Sequence, residues 1–106
     1  MGPTRYQIIY DIEFADQIKA VDRKHHSFIR KTIEEQLSST PDLQTRNRKP
    51  LDYPTPFGAH WELRFGVNNK FRVFYRVYTD TGEVHVLAFG VKLRARLYIG
   101  KEEVKL

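Results

Sequence analysis

Three runs of alternating residues, joined by turn-forming residues, constrain this chain more than any other feature. Residues 59–66 (AHWELRFG) set Trp61, Leu63 and Phe65 against His60, Glu62 and Arg64. Residues 70–79 (KFRVFYRVYT) set Phe71, Val73, Tyr75 and Val77 against Arg72, Phe74 and Arg76. Residues 83–90 (EVHVLAFG) set Val84, Val86 and Ala88 against His85, Leu87 and Phe89. A period of two is the strand period, because successive side chains point to opposite faces of a sheet. Val67-Asn68-Asn69 and Asp80-Thr81-Gly82 supply residues that tolerate tight turns. The segment predicts an antiparallel three-stranded meander. One face is apolar throughout. The other carries His60, Glu62, Arg64, Arg72, Arg76 and His85, with Phe74 and Tyr78 placed as stacking platforms would be.

The apolar face needs a cover, and the first forty residues supply one. RYQIIYDI (5–12) alternates as a strand. Phe14, Ile18 and Val21 then recur at helical spacing. A second helix is expected to start near Asp22 as its N-cap, with Phe28/Ile29, Ile33 and Leu37 as its apolar stripe and Ser38-Ser39-Thr40-Pro41 as its end. Residues 41–58 hold four of the five prolines and read as a long loop, with Arg46, Arg48 and Lys49 clustered in it. Residues 1–4 read as a loose end. The expected fold over residues 1–106 is a single α+β domain. An N-terminal strand and an α-helical hairpin pack on one face of a small, mainly antiparallel sheet that ends in the meander.

After the meander comes VKLRARLYIG (91–100). Read as one strand, it lines up Lys92, Arg94, Arg96 and Tyr98 on one side. This row belongs to a wider asymmetry. The chain carries 18 Lys and Arg against 13 Asp and Glu, a net charge of +5. All of the excess lies after residue 44, which points to an anionic partner such as nucleic acid. With no cysteine, disulfides, thiolate metal sites and thiol nucleophiles are excluded. No apolar run is long enough to span a bilayer and no signal-peptide core opens the chain, so a cytoplasmic setting with no membrane partner is expected. His25 and His26 are adjacent on a helix and diverge, and no phosphate-binding glycine motif occurs, so neither a metal nor a cofactor is expected.

The basic face is the remaining candidate for chemistry. Arg64 and Arg72 sit on neighbouring strands of one hairpin, where two like charges need an anion between them. Glu62 can supply it locally. A phosphate is the functional alternative, because the planar guanidinium fork matches phosphate oxygens. RNA carries its own nucleophile, the 2′-OH. A protein then needs only a base, cations for the phosphorane-like state and an acid for the 5′-oxygen. A tyrosine among cations, such as Tyr98 in its row, has its phenolate favoured.

These pieces, in the order strand, helix, helix, meander and basic C-terminal segment, resemble the RelE/ParE superfamily of bacterial type II toxins. RNRKPL, WELRFG, FRVFYRV, EVHVLAFG and VKLRARLYIG carry the resemblance across nearly the whole chain. It implies a ribosome-dependent, metal-independent endoribonuclease that cuts mRNA in the A site by 2′-OH attack. It also implies a cognate antitoxin as partner, with operator DNA bound only through the antitoxin complex. Carried over position by position, it implies catalytic roles for Arg64, Arg72, Lys92 and Tyr98. Glu62 stands where the RelE branch has a catalytic lysine, and is either an acid–base group or an ion-pair partner. Arg46, Arg48, Lys49, Arg76, Arg94 and Arg96 are the expected RNA- and ribosome-binding cations. Two other readings share the fold: a ParE-like inhibitor of DNA gyrase, and an inactive homologue that binds only antitoxin and DNA.

Overall fold

The computed structural model describes residues 5–105. Strand β1 (Gln7–Tyr10) leads into helix α1 (Ile12–Ile18), a 3-10 turn at Arg23–His25 and helix α2 (His26–Leu37). Six strands follow: β2 (Arg48–Pro50), β3 (Trp61–Phe65), β4 (Phe71–Tyr78), β5 (Glu83–Leu93), β6 (Arg96–Ile99) and β7 (Glu102–Val104). They form one sheet in the order β2-β3-β4-β5-β6-β7, antiparallel at each step, with β1 parallel to β5. The α+β architecture is the one that the alternation and the two helical stripes call for. No helix among the described residues is long and apolar enough to cross a membrane.

The long strand β5 organises the sheet. Its one edge pairs with β4. Its other edge takes β1 against Glu83–Val86 and β6 against Gly90–Leu93. Between these partners the Phe89 N–H would point at nothing, and the Gln17 side-chain carbonyl of α1 accepts it at 2.7 Å. An unpaired buried N–H is costly, so this contact fixes α1 against the gap.

Helix ends differ from the sequence expectation by a few residues. Asp11 closes β1 and caps α1, accepting from the Glu13 N–H at 2.9 Å. Asp22 caps the 3-10 turn rather than α2 and accepts from the Lys24 N–H. α2 then buries Ile29, Ile33 and Leu37 against Leu63, Val73, Tyr75, Val84 and Val86. Burying one such side chain is worth about 1.5–3 kcal/mol. Tyr75 satisfies its hydroxyl on the Pro41 carbonyl at 2.7 Å. Burial pushes that hydroxyl's pKa well above its ordinary value.

Three departures affect the site. The proline-rich segment is not all loop: Arg48–Pro50 adds a strand to β3, with Lys49 opposite Glu62. The alternation of β5 breaks at Leu87. Phe74 faces Ala88 but Tyr75 faces Val86, leaving Leu87 as the extra residue of a bulge. Beyond it the faces invert, so Phe89 joins the helix-covered core beside Phe14 and Phe71. Ala88 instead joins Phe74 and Ala59 in a small second cluster on the opposite face.

The third departure is in VKLRARLYIG, which is not one strand. Leu93 pairs with Arg96 across a two-residue turn at Arg94-Ala95, and Arg94 takes the left-handed conformation at φ 59°. Facing residues in such a hairpin differ in parity. Lys92 therefore shares a face with Leu97, and Tyr98 shares the other with Val91. The expected row of Lys92, Arg94, Arg96 and Tyr98 is divided between the two faces and the turn.

Candidate functional site

The face of the sheet away from the helices carries a cleft of about 960 Å³. Its floor is β3, β4 and the end of β5. One wall is the proline-rich segment from Lys49 to Pro56, and the other is the β5–β6 turn with β6 and β7. The second apolar cluster supports the floor. Phe74 is fully buried there under Ala59, Ala88 and the ring of Phe57, 5.8 Å away. Phe74 is therefore not the exposed stacking platform that its strand position implies. Gly90 packs tightly beside it: a Cβ there would meet Leu97 Cδ1 at 2.9 Å, the Tyr98 carbonyl at 3.3 Å and the Phe74 ring at 3.4 Å, so a larger residue would push Leu97 aside.

The candidate side chains stand in direct register. Arg64 lies opposite Arg72, and Glu62 lies two residues along β3 on the same face. Arg64 Nε donates to Glu62 Oε1 at 2.6 Å, and Arg72 Nη1 donates to Glu62 Oε2 at 3.4 Å. Arg72 Nε is held by the Asn69 carbonyl at 2.9 Å. That carbonyl is aimed by the turn, where Asn68 and Asn69 take left-handed φ values of 56° and 52°. Asparagine accepts this conformation more readily than most residues.

The three charges are not equivalent. The side chains of Glu62 and Arg72 are 7% and 8% exposed, whereas Arg64 is 33% exposed. Burial pulls the Arg72 guanidinium below its ordinary pKa, and the Glu62 carboxylate beside it pulls the other way. Both arginines therefore converge on one buried carboxylate, and only Arg64 is free to turn outward. Six cations line the cleft: Lys49, Arg64, Arg72, Lys92, Arg96 and Lys105. Three carboxylates oppose them, Asp52, Glu62 and Glu103, so the cleft has an excess of three positive charges. Glu103 lies 4.0 Å from Arg96 at the exposed rim, where such a pair contributes little.

Of the residues singled out from the sequence, Glu62, Arg64, Arg72, Lys92, Lys49 and Arg96 meet in this cleft. The others do not. Tyr98 faces the helix side of β6 and is absent from the lining. Arg46 lies exposed in the loop and Arg94 at the tip of the hairpin, both outside the cleft. Arg76 is on the same face farther along β4, where its guanidinium sits 4.9 Å from the Tyr78 ring.

Arg48 is corrected outright as a binding cation. It is 6% exposed, and Nη1 donates to the carbonyls of Gln36, at 2.7 Å, and of Thr40. It closes the C-terminal end of α2, where unpaired carbonyls and the helix dipole both favour a cation. Sequence reasoning also passed over Tyr53, an aromatic between Asp52 and Pro54 that lines the cleft mouth. Its signal was available as an aromatic flanked by prolines in a segment facing the basic strands.

No protein-family model matches this chain, and a search of curated proteins returns no match.

Proposed function

We propose that the chain is a RelE-type toxin of a bacterial type II toxin–antitoxin pair. In this reading it is an endoribonuclease that cuts mRNA in the ribosomal A site by 2′-OH attack, without needing a metal. The observation that carries this reading is the register-matched pair Arg64 and Arg72 sharing the buried carboxylate of Glu62 on the floor of a cationic cleft. Two guanidinium forks side by side suit the non-bridging oxygens of one phosphate. The chain's similarity in element order and basic segments to the RelE/ParE superfamily gives the reaction its class.

The chemistry divides among four side chains. Arg64, the more exposed arginine, turns from Glu62 to the scissile phosphate, while Arg72 stays fixed by Asn69 and holds the other side. The Glu62 carboxylate, released from Arg64, takes the 2′-O–H proton as the 2′-oxygen attacks phosphorus. The P–O5′ bond breaks with its electron pair going to the 5′-oxygen, which takes a proton from the Lys92 ammonium. The products are a 2′,3′-cyclic phosphate and a 5′-hydroxyl. Positive charge in place before the reaction stabilises the dianionic transition state with no reorganisation.

The test is a translation reaction programmed with a defined mRNA, with and without ribosomes. Cuts inside codons on ribosomes, with naked mRNA left mostly intact, are the expected result. Absence of cutting on ribosomes, or equal cutting of free RNA, overturns the ribosome-dependent reading. Inhibition of gyrase supercoiling in place of cutting assigns the chain to the ParE-like alternative.

A further inference from the structure

With Tyr98 turned to the other side of the sheet, Tyr53 is the one aromatic residue among the described residues lining the cleft. It is 84% exposed, whereas the neighbouring Phe57 spends its ring on Phe74. The segment that carries it is braced. The Leu51 N–H donates to the His60 carbonyl at 2.9 Å, so the segment leaves the sheet at a fixed point. Thr55 is 8% exposed and closes the far end: its N–H donates to the Ala59 carbonyl and its Oγ1 accepts from the Ala59 N–H. Pro50, Pro54 and Pro56 fix further backbone angles. A large ring therefore stands in water at the mouth of the cationic cleft, on a backbone segment braced at both ends.

We infer that Tyr53 is the base-stacking residue of the cleft, receiving an unpaired nucleobase next to the phosphate held by Arg64 and Arg72. The inference rests on the RNA reading of that cleft. A nucleobase offers a π-face whatever its identity, and an aromatic side chain on a braced backbone takes it at less ordering cost than one on a free loop. The cationic floor takes the backbone, and Tyr53 fixes which nucleotide stands beside it. Stacking at this point sets the register of the strand relative to Glu62.

The test uses the full chain and a ten-nucleotide 2′-O-methyl RNA, which has no internal nucleophile, with binding read by fluorescence anisotropy. Tyr53→Leu is expected to weaken binding about tenfold, while Tyr53→Phe stays within about twofold of the parent, as stacking requires. A series with one abasic position moved along the strand is then expected to show one position whose base matters to the parent and not to Tyr53→Leu. Circular dichroism shows that the variants remain folded. Parent-like affinity of Tyr53→Leu, with Arg72→Ala still weakened, overturns the stacking role alone. No effect of Arg72→Ala on a parent that binds removes the RNA reading and the stacking role together; no binding by the parent overturns the stacking role, while the ribosome reaction decides the RNA reading.

Discussion

The two faces of the sheet are built from the same strands and behave as different materials. On the helix side, Leu63, Val73, Tyr75, Val84 and Val86 are wholly buried under α1 and α2. On the other side, a small cluster around Phe74 is covered by the proline-braced segment together with Leu87, Leu97 and Ile99, and the next positions along β3 and β4 are Glu62, Arg64 and Arg72. A single strand such as β4 thus sends Val73 into a dry core and Arg72 into a charged cleft, one residue apart. The contrast teaches that stability and the proposed activity are separable here by parity. Odd positions of β3 and β4, with Phe74 from the other face, hold the fold, and the even positions Glu62, Arg64 and Arg72 are available for the proposed chemistry.

The strongest way to break this separation is Arg72→Ala. Removing one preorganised cation from the proposed phosphate site is expected to lower cleavage on ribosomes by about 10²–10³-fold. Glu62 keeps Arg64 as partner at 2.6 Å, so the protein stays folded, which a thermal melt of the same preparation checks. Next in size is Arg48→Met. It leaves the last carbonyls of α2 without a buried donor and is expected to cost about 1–3 kcal/mol in urea unfolding. Cleavage per folded molecule stays unchanged, because Arg48 is no part of the cleft. Ile33→Val trims a fully buried methylene on the helix side and is expected to cost about 0.5–1.5 kcal/mol, again with no change in cleavage per folded molecule.

A charge measurement sharpens the same contrast on the open face. Affinity for short RNA should fall with salt, with a log–log slope of about −0.7 for each phosphate neutralised on a single strand. Glu62→Gln removes the internal anion, frees both arginines and is expected to steepen that slope by about one phosphate while lowering cleavage. An unchanged slope would mean that Arg64 and Arg72 do not reach the backbone. The smallest effect concerns pH. Burial raises the hydroxyl pKa of Tyr75 in the folded chain. The unfolded chain releases that proton first, so stability is fully present below about pH 10 and falls as pH rises beyond it. Urea midpoints measured at alkaline pH check this.

Much of this arrangement is legible in the sequence, for reasons that also explain what is not. Alternation reports which side a residue faces as long as pairing is regular. It therefore places Leu63 and Val73 inside and Glu62, Arg64 and Arg72 together outside. It carries no mark of an inserted residue, so the bulge at Leu87, which sends Phe89 into the core, is invisible. It also runs unbroken through Arg94-Ala95, although a two-residue turn there swaps the parity of everything that follows. This is why Tyr98 and Lys92, six residues apart, end on opposite faces. Composition hides β2 in the same way. A proline at its end argues against a strand, yet an edge position tolerates it. The role of Arg48 depends on carbonyls 8 and 12 residues away, a tertiary fact with no local signature.

The central claim is that the cleft cuts RNA by its own 2′-OH, and the end groups of the cut mRNA test it most directly. Fragments recovered from a ribosome reaction are expected to carry a 5′-hydroxyl downstream and a 2′,3′-cyclic phosphate, or its opened monophosphate, upstream. A 5′-phosphate with a free 3′-hydroxyl would contradict the account, because water and not the 2′-oxygen would then have attacked the phosphorus.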